Sequence, residues 1–167
     1  RFIKGVVDSH DLPLNVSREL LQQDAQLAKI KTNMVKKALS TLKTMKEKKP
    51  EEYLTFYQEF GQVLKEGIHY DMENKDKIAD LLLFETSKTD AGKLKSLADY
   101  ETEMPKSQKE IYYIRSEDRP TAMSSPHMEK LNVKKFEVLL MIDPVDEWIM
   151  GGLTEYKEKK LVAIDQG

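Results

Sequence analysis

The feature that most constrains this chain is a change in its hydrophobic period. From Asp24 to Gly67 apolar residues recur every three or four positions, whereas from Glu110 onward they come in short continuous runs. Leu27, Ile30, Met34, Ala38, Leu42 and Met45 make one helical stripe, with lysines on the other faces. Pro50 ends that helix and opens the next, which carries Glu51 and Glu52 in its first turn. Tyr53, Phe56, Tyr57, Phe60, Val63 and Leu64 form its stripe, and Gly67 is expected to close it. A third helix is predicted over Lys75 to Phe84, burying Ile78, Leu81 and Leu82. Consecutive helices with short links cover one another's stripes, so a helical layer follows.

The pattern breaks between Thr86 and Leu94, which reads as a linker between two lobes. A short helix over Leu97 to Met104 stops at Pro105. Strands are predicted over Glu110–Ile114 and Phe136–Ile142, with a helical stretch between them capped by Ser125 and started by Pro126. Asp143-Pro144-Val145-Asp146 should open another helix, and a last strand lies around Lys160 to Ile164. Strands alternating with helices call for parallel pairing, so the class is α/β. At the start of the chain, Phe2–Asp8 reads as a strand and Ser17–Gln23 as a short helical turn.

Composition narrows the chemistry. Cysteine is absent, which excludes disulfides, thiolate zinc sites and cysteine nucleophiles and favours a reducing compartment. No apolar run approaches the roughly 20 residues of a membrane helix, and no signal segment opens the chain. The chain begins at Arg1 with a strand pattern already under way, as a piece of something longer would. Its net charge of −2 hides an asymmetry: eight lysines and one acid lie between Ala25 and Lys49. With no arginine or base-stacking aromatic among them, these lysines read as a solvated helix face, and a nucleic-acid-binding or adaptor role is the alternative. The three histidines are far apart in sequence, so no metal site is expected. No glycine-rich phosphate loop or Gly-x-Ser-x-Gly elbow is present.

One local rule is broken. If Ser17 caps the short helix, Arg18 sits in its first turn, where a cation is unfavourable. Arg18 and Gln22 are four apart and share a face. With the helix N-terminus they could hold one anion, most naturally a phosphate. A second reading stands beside this one, in which Arg18 pairs with Asp8, Asp11 or Glu19.

The same residues carry a family resemblance. FIKGVVDS followed by DLPLNVSRELLQQ resembles the catalytic-loop region in the middle domain of the ninety-kilodalton heat-shock chaperones. The similarity continues through FGQVLKEG (60–67), LLLFETSKTD (81–90), LADYETEMPKSQKEIYYI (97–114), SSPHMEKL (124–131), FEVLLMIDPVDEW (136–148) and LTEYKEKKL (153–161), and the bacterial form fits best. The resemblance implies a homodimeric, ATP-driven chaperone of the cytoplasm. Residues 1–23 would be the end of a large αβα lobe, 24–90 a helical coil, and 91–167 a small αβα lobe with a short, mainly parallel sheet. Arg18 matches the arginine that reaches the γ-phosphate, and Gln22 the glutamine that supports it.

ATP and Mg²⁺ would be bound by an N-terminal ATPase domain, and dimerisation would belong to a C-terminal domain. This segment alone should therefore bind no cofactor and not act as an enzyme. Unfolded client proteins are the further partners, with no membrane role. Trp148, the single tryptophan, and Met150 are the client-contact candidates. Trp148 is either half-buried against the sheet or exposed for recognition. The Phe2–Asp8 strand would lack its neighbours in the large lobe and must pair elsewhere, dock or fray.

Overall fold

The computed structural model describes residues 4–6 and 25–165. The expected helical turn over Ser17–Gln23, with Arg18 and Gln22, lies outside them. Of the expected strand Phe2–Asp8 only Lys4, Gly5 and Val6 are among the described residues, and these three are exposed and form no strand. A strand needs a neighbour for its N–H and C=O groups, and none of the described strands lies beside these three residues.

The chain packs as two compact units, one up to Leu54 and one from Thr55 on. The first holds α1 (Ala25–Lys48) and the start of α2 (Pro50–Tyr70). The α1 stripe lies where it was predicted: Leu42 is buried and Leu27, Ile30, Ala38 and Met45 are partly buried. Leu39 joins them, and Met34 alone of the expected positions is exposed, at 45%. Lys46 and Lys48 occupy the last turn of α1, where they complement the macrodipole. Pro50 lacks an N–H and begins α2 at a position where none is required.

In the second unit α2 runs on past Gly67 to Tyr70. Gly67 does not end the helix because its role is steric: a Cβ there would meet Ile78 Cδ1 at 3.1 Å. A 3₁₀ turn (Met72–Asn74) and α3 (Lys75–Ala79) follow, then β1 (Leu83–Thr86) and β2 (Lys95–Ser96). The predicted third helix thus stops five residues early. A continuous apolar run such as Leu81-Leu82-Leu83-Phe84 fits a buried strand as well as a helix, and periodicity cannot separate them. The Thr86–Leu94 break is the turn of the β1–β2 hairpin, with Gly92 at φ 76°.

The remaining elements are α4 (Leu97–Glu103), β3 (Ile111–Arg115), α5 (Arg119–Met123), α6 (Pro126–Val133), β4 (Val138–Met141), α7 (Pro144–Ile149), β5 (Glu155–Tyr156) and β6 (Lys159–Ala163). The six described strands make one mixed sheet in the order β2-β1-β4-β3-β6-β5. Its centre, β4-β3-β6, is parallel as expected, and its edges are antiparallel. β4 is buried on both faces, hence its unbroken VLLM. Val138 and Leu140 pack with Ile114, with Ala122 of α5 and with Met128 of α6. β6 is the last strand expected around Lys160 to Ile164, while its hairpin partner β5 escaped the sequence reading because the turn places Lys157 and Glu158, not Asn or Gly, at positive φ.

Candidate functional site

Gln62, Lys65 and His69 lie three and four residues apart on α2, so they share one helix face. That face meets α7. The DPVD sequence closes the expected capping box: the Asp143 carboxylate accepts from the Val145 N–H at 3.4 Å, and the Asp146 carboxylate accepts from the Asp143 N–H at 3.1 Å. Lys65 then joins both acids, its Nζ standing 2.6 Å from Asp146 Oδ1 and 3.4 Å from Asp143 Oδ2. Gln62 Nε2 donates to Asp143 Oδ1 at 3.1 Å. Lys65 and Asp146 are buried, and the ammonium sits 5.1 Å from the centre of the Phe84 ring. Burial pushes the Asp146 carboxyl above its ordinary range, with the Lys65 charge acting against that shift. After α7, Gly152 presses on α2 so closely that a Cβ would lie 3.1 Å from Ile68 Cγ2 and 3.2 Å from the Ile68 carbonyl oxygen.

These ties decide where Trp148 stands. It is 54% exposed, and its covered side rests on rings of α2. Its ring is 5.1 Å from His69 at a 34° tilt and 5.8 Å from Tyr70 at 67°, and His69 and Tyr70 meet edge to face at 5.2 Å. Met150 is half-buried and caps α7, its N–H donating to the Asp146 carbonyl. Offset and edge-to-face ring contacts hold such side chains in place while their outer faces stay wet. The arrangement has no nucleophile paired with a base; it can bind apolar groups.

A cleft of about 340 Å³ beside the ion pair is lined by Tyr57, Gly61, Phe84, Glu85 and the two aspartates. Lys65 pairs with the aspartates there and Glu85 with Arg119 at 2.7 Å, and Glu59 adds a further carboxylate to the lining. Among the described residues no group of His, Cys, Asp or Glu could hold a metal ion, and no helix is long and apolar enough to cross a membrane. Sequence reasoning missed His69, Tyr70 and Lys65. The first two lie beyond Gly67, where the helix was expected to end, and Lys65 carries no local signal of its buried partners.

The family model described as "Hsp90 protein" matches residues 1–167. The chain belongs to the Hsp90 family. It is 55% identical to the chaperone protein HtpG of Geobacter metallireducens and 56% identical to that of Geobacter sulfurreducens, in each case over 100% of this chain and 26% of the relative. HtpG of Bdellovibrio bacteriovorus is 51% identical over 98% of this chain and 26% of its own length. The chain thus spans about a quarter of the length of these curated relatives. The solved middle domain of a Plasmodium falciparum heat shock protein superposes with a TM-score of 0.81 at 32% identity, covering 87% of this chain and 61% of that one.

Two of the described blocks of the Hsp90 resemblance have clear places in the fold. ETSKTD is a structural clasp: the Thr86 hydroxyl donates to the buried Glu137 carboxylate, which also takes Lys95 Nζ at 2.9 Å. Burial alone would lower the Lys95 ammonium, but Glu103 and Glu137 outweigh it and hold the group above its ordinary value. FEVLLMIDPVDEW supplies β4, the capping box and Trp148 together.

Proposed function

We propose that this chain is the middle segment of an ATP-driven, homodimeric chaperone of the cytoplasm, with two tasks. Arg18, supported by Gln22, reaches the γ-phosphate of ATP held by an N-terminal domain. Trp148 and Met150 contact unfolded client proteins. The observation that carries this reading is the match of all 167 residues to the Hsp90 family, and the exposure of Trp148 supports its second half.

In this reading residues 1–23 end the large lobe. We draw the boundary between the helical coil and the small lobe just before Leu83, because β1 pairs with β4. Mg-ATP supplies the transferable phosphoryl group. This chain's part is a planar, permanently charged guanidinium that neutralises negative charge on the phosphoryl oxygens. The water-activating glutamate and Mg-binding asparagine of the family belong to the N-terminal domain, so the segment alone turns over no ATP. The dimer contact belongs to the C-terminal domain.

The client half is tested by aggregation suppression. The intact chaperone carrying Trp148→Ala is expected to protect a chemically denatured client much less well than wild type. Equal protection would remove Trp148 from the reading.

A further inference from the structure

Seven large hydrophobic residues are exposed among the described residues, and three of them fall in one neighbourhood. Tyr70 is 69% exposed, Met72 65% and Trp148 54%. Tyr70 and Trp148 touch each other and both touch His69, so the exposed rings form one stacked group rather than scattered side chains. Met72 follows Tyr70 by two residues, in the 3₁₀ turn. A thioether beside aromatic rings makes an adaptable apolar surface, and clustered exposed apolar groups mark a contact site where scattered ones do not.

The charge on the segments that carry this group is negative, with Lys65, Lys75 and Lys77 at the borders of the first. The segments that carry it, Glu66 to Asn74 and Asp143 to Gly152, hold Glu66, Asp71, Glu73, Asp143, Asp146 and Glu147 and no Lys or Arg, in a chain with 27 Lys+Arg. Lys65 answers Asp143 and Asp146. No cation within these segments answers Glu66, Asp71, Glu73 or Glu147.

We propose that the client surface extends beyond Trp148 and Met150 to a platform that includes His69, Tyr70 and Met72, and that its occupant is an extended segment of aromatic or aliphatic residues flanked by Lys or Arg. This rests on the client-binding reading of Trp148 and adds the end of α2 and the charge preference. Rings and the thioether take the apolar side chains, and the acidic rim takes the flanking cations. A negatively flanked segment is repelled by the same rim.

The test is fluorescence anisotropy of labelled, unstructured peptides with the intact chaperone. One peptide carries Phe and Leu between Arg and Lys, a second the same apolar residues between Asp and Glu. Tyr70→Ser and Met72→Ser, both at exposed positions, are each expected to weaken the basic peptide about three- to tenfold. The acidic peptide should bind about tenfold more weakly, with the gap closing as salt screens the rim. If Trp148→Ala weakens binding while Tyr70→Ser and Met72→Ser do not, the platform is wrong and the client reading stands. If Trp148→Ala has no effect either, the client reading itself fails. Equal binding of the two peptides overturns the charge preference. Self-association of the chaperone that disappears in Tyr70→Ser would give the surface to a second copy and overturn the proposal.

Discussion

Lys65 of α2 and Asp146 of α7 stand 2.6 Å apart, both nearly withdrawn from solvent. The pair ties the helix that carries His69 and Tyr70 to the helix that carries Trp148. Removing one partner of a buried pair leaves an uncompensated charge, which costs about 3–5 kcal/mol. Lys65→Met is therefore expected to lower the unfolding free energy by about 3 kcal/mol at pH 7. The Asp146 carboxyl already titrates above its ordinary value, so it holds its proton more tightly folded than unfolded. Such a group favours folding fully below the unfolded carboxylate value and loses that contribution as pH rises through its folded value. The cost of Lys65→Met should therefore shrink as pH is lowered toward 4. Denaturant unfolding of both proteins at several pH values checks this; a pH-independent difference would contradict it.

Gly152 is needed for its missing Cβ, since its φ is not in the left-handed region. Gly152→Ala drives a methyl against Ile68 Cγ2 and the Ile68 carbonyl oxygen, an overpacking expected to cost about 1–3 kcal/mol. Because α7 ends on this contact, the shift should also alter the emission of Trp148. Calorimetry and tryptophan fluorescence of the variant read the two effects, and unchanged values in both would show that the α2–α7 contact yields freely.

Tyr100 is fully buried, and its hydroxyl has three partners. It donates to the Glu137 carbonyl and accepts from Gln108 Nε2 at 2.8 Å and from the Tyr112 N–H at 3.2 Å. Tyr100→Phe keeps the ring and strands these partners, which should cost about 1–3 kcal/mol. Hydrogen exchange at the Tyr112 amide should accelerate with it. Wild-type protection there would mean that other contacts hold β3 in place.

Asp118 caps α5, its carboxylate accepting from the Thr121 N–H at 2.8 Å, and that bond holds the carboxyl below its ordinary 3.8. A depressed carboxyl contributes stability above its unfolded value and loses it as pH falls through its folded value. Asp118→Asn keeps the cap and removes the charge. Its melting temperature should fall below wild type above pH 4, and the two should converge as pH drops below 3.8. Parallel pH profiles would show that the charge adds nothing to the cap.

Much of this was legible in the residues, and the exceptions have physical causes. The α2 stripe, the central parallel strands and the DPVD cap follow from period and cap chemistry, which are local. Leu83 and Phe84 were misread as helix because a continuous apolar run has no period, and it is pairing with β2, continued by Glu85 and Thr86 on β4, that makes the segment a strand. Gly67 was misread as a stop because its crowding by Ile78 is a tertiary fact. Trp148 stood out by its rarity. His69 and Tyr70 join it only through the Lys65 and Gly152 contacts, which no sequence spacing announces.

The central claim is that a guanidinium from this chain completes a nucleotide site in another domain. ATP turnover by the intact chaperone, wild type against Arg18→Ala, measures it most directly. An arginine that neutralises charge on the transferring phosphoryl group is worth roughly 10³-fold or more, so turnover by Arg18→Ala should fall to near background while nucleotide binding persists. Hydrolysis by Arg18→Ala at the wild-type rate would contradict the account.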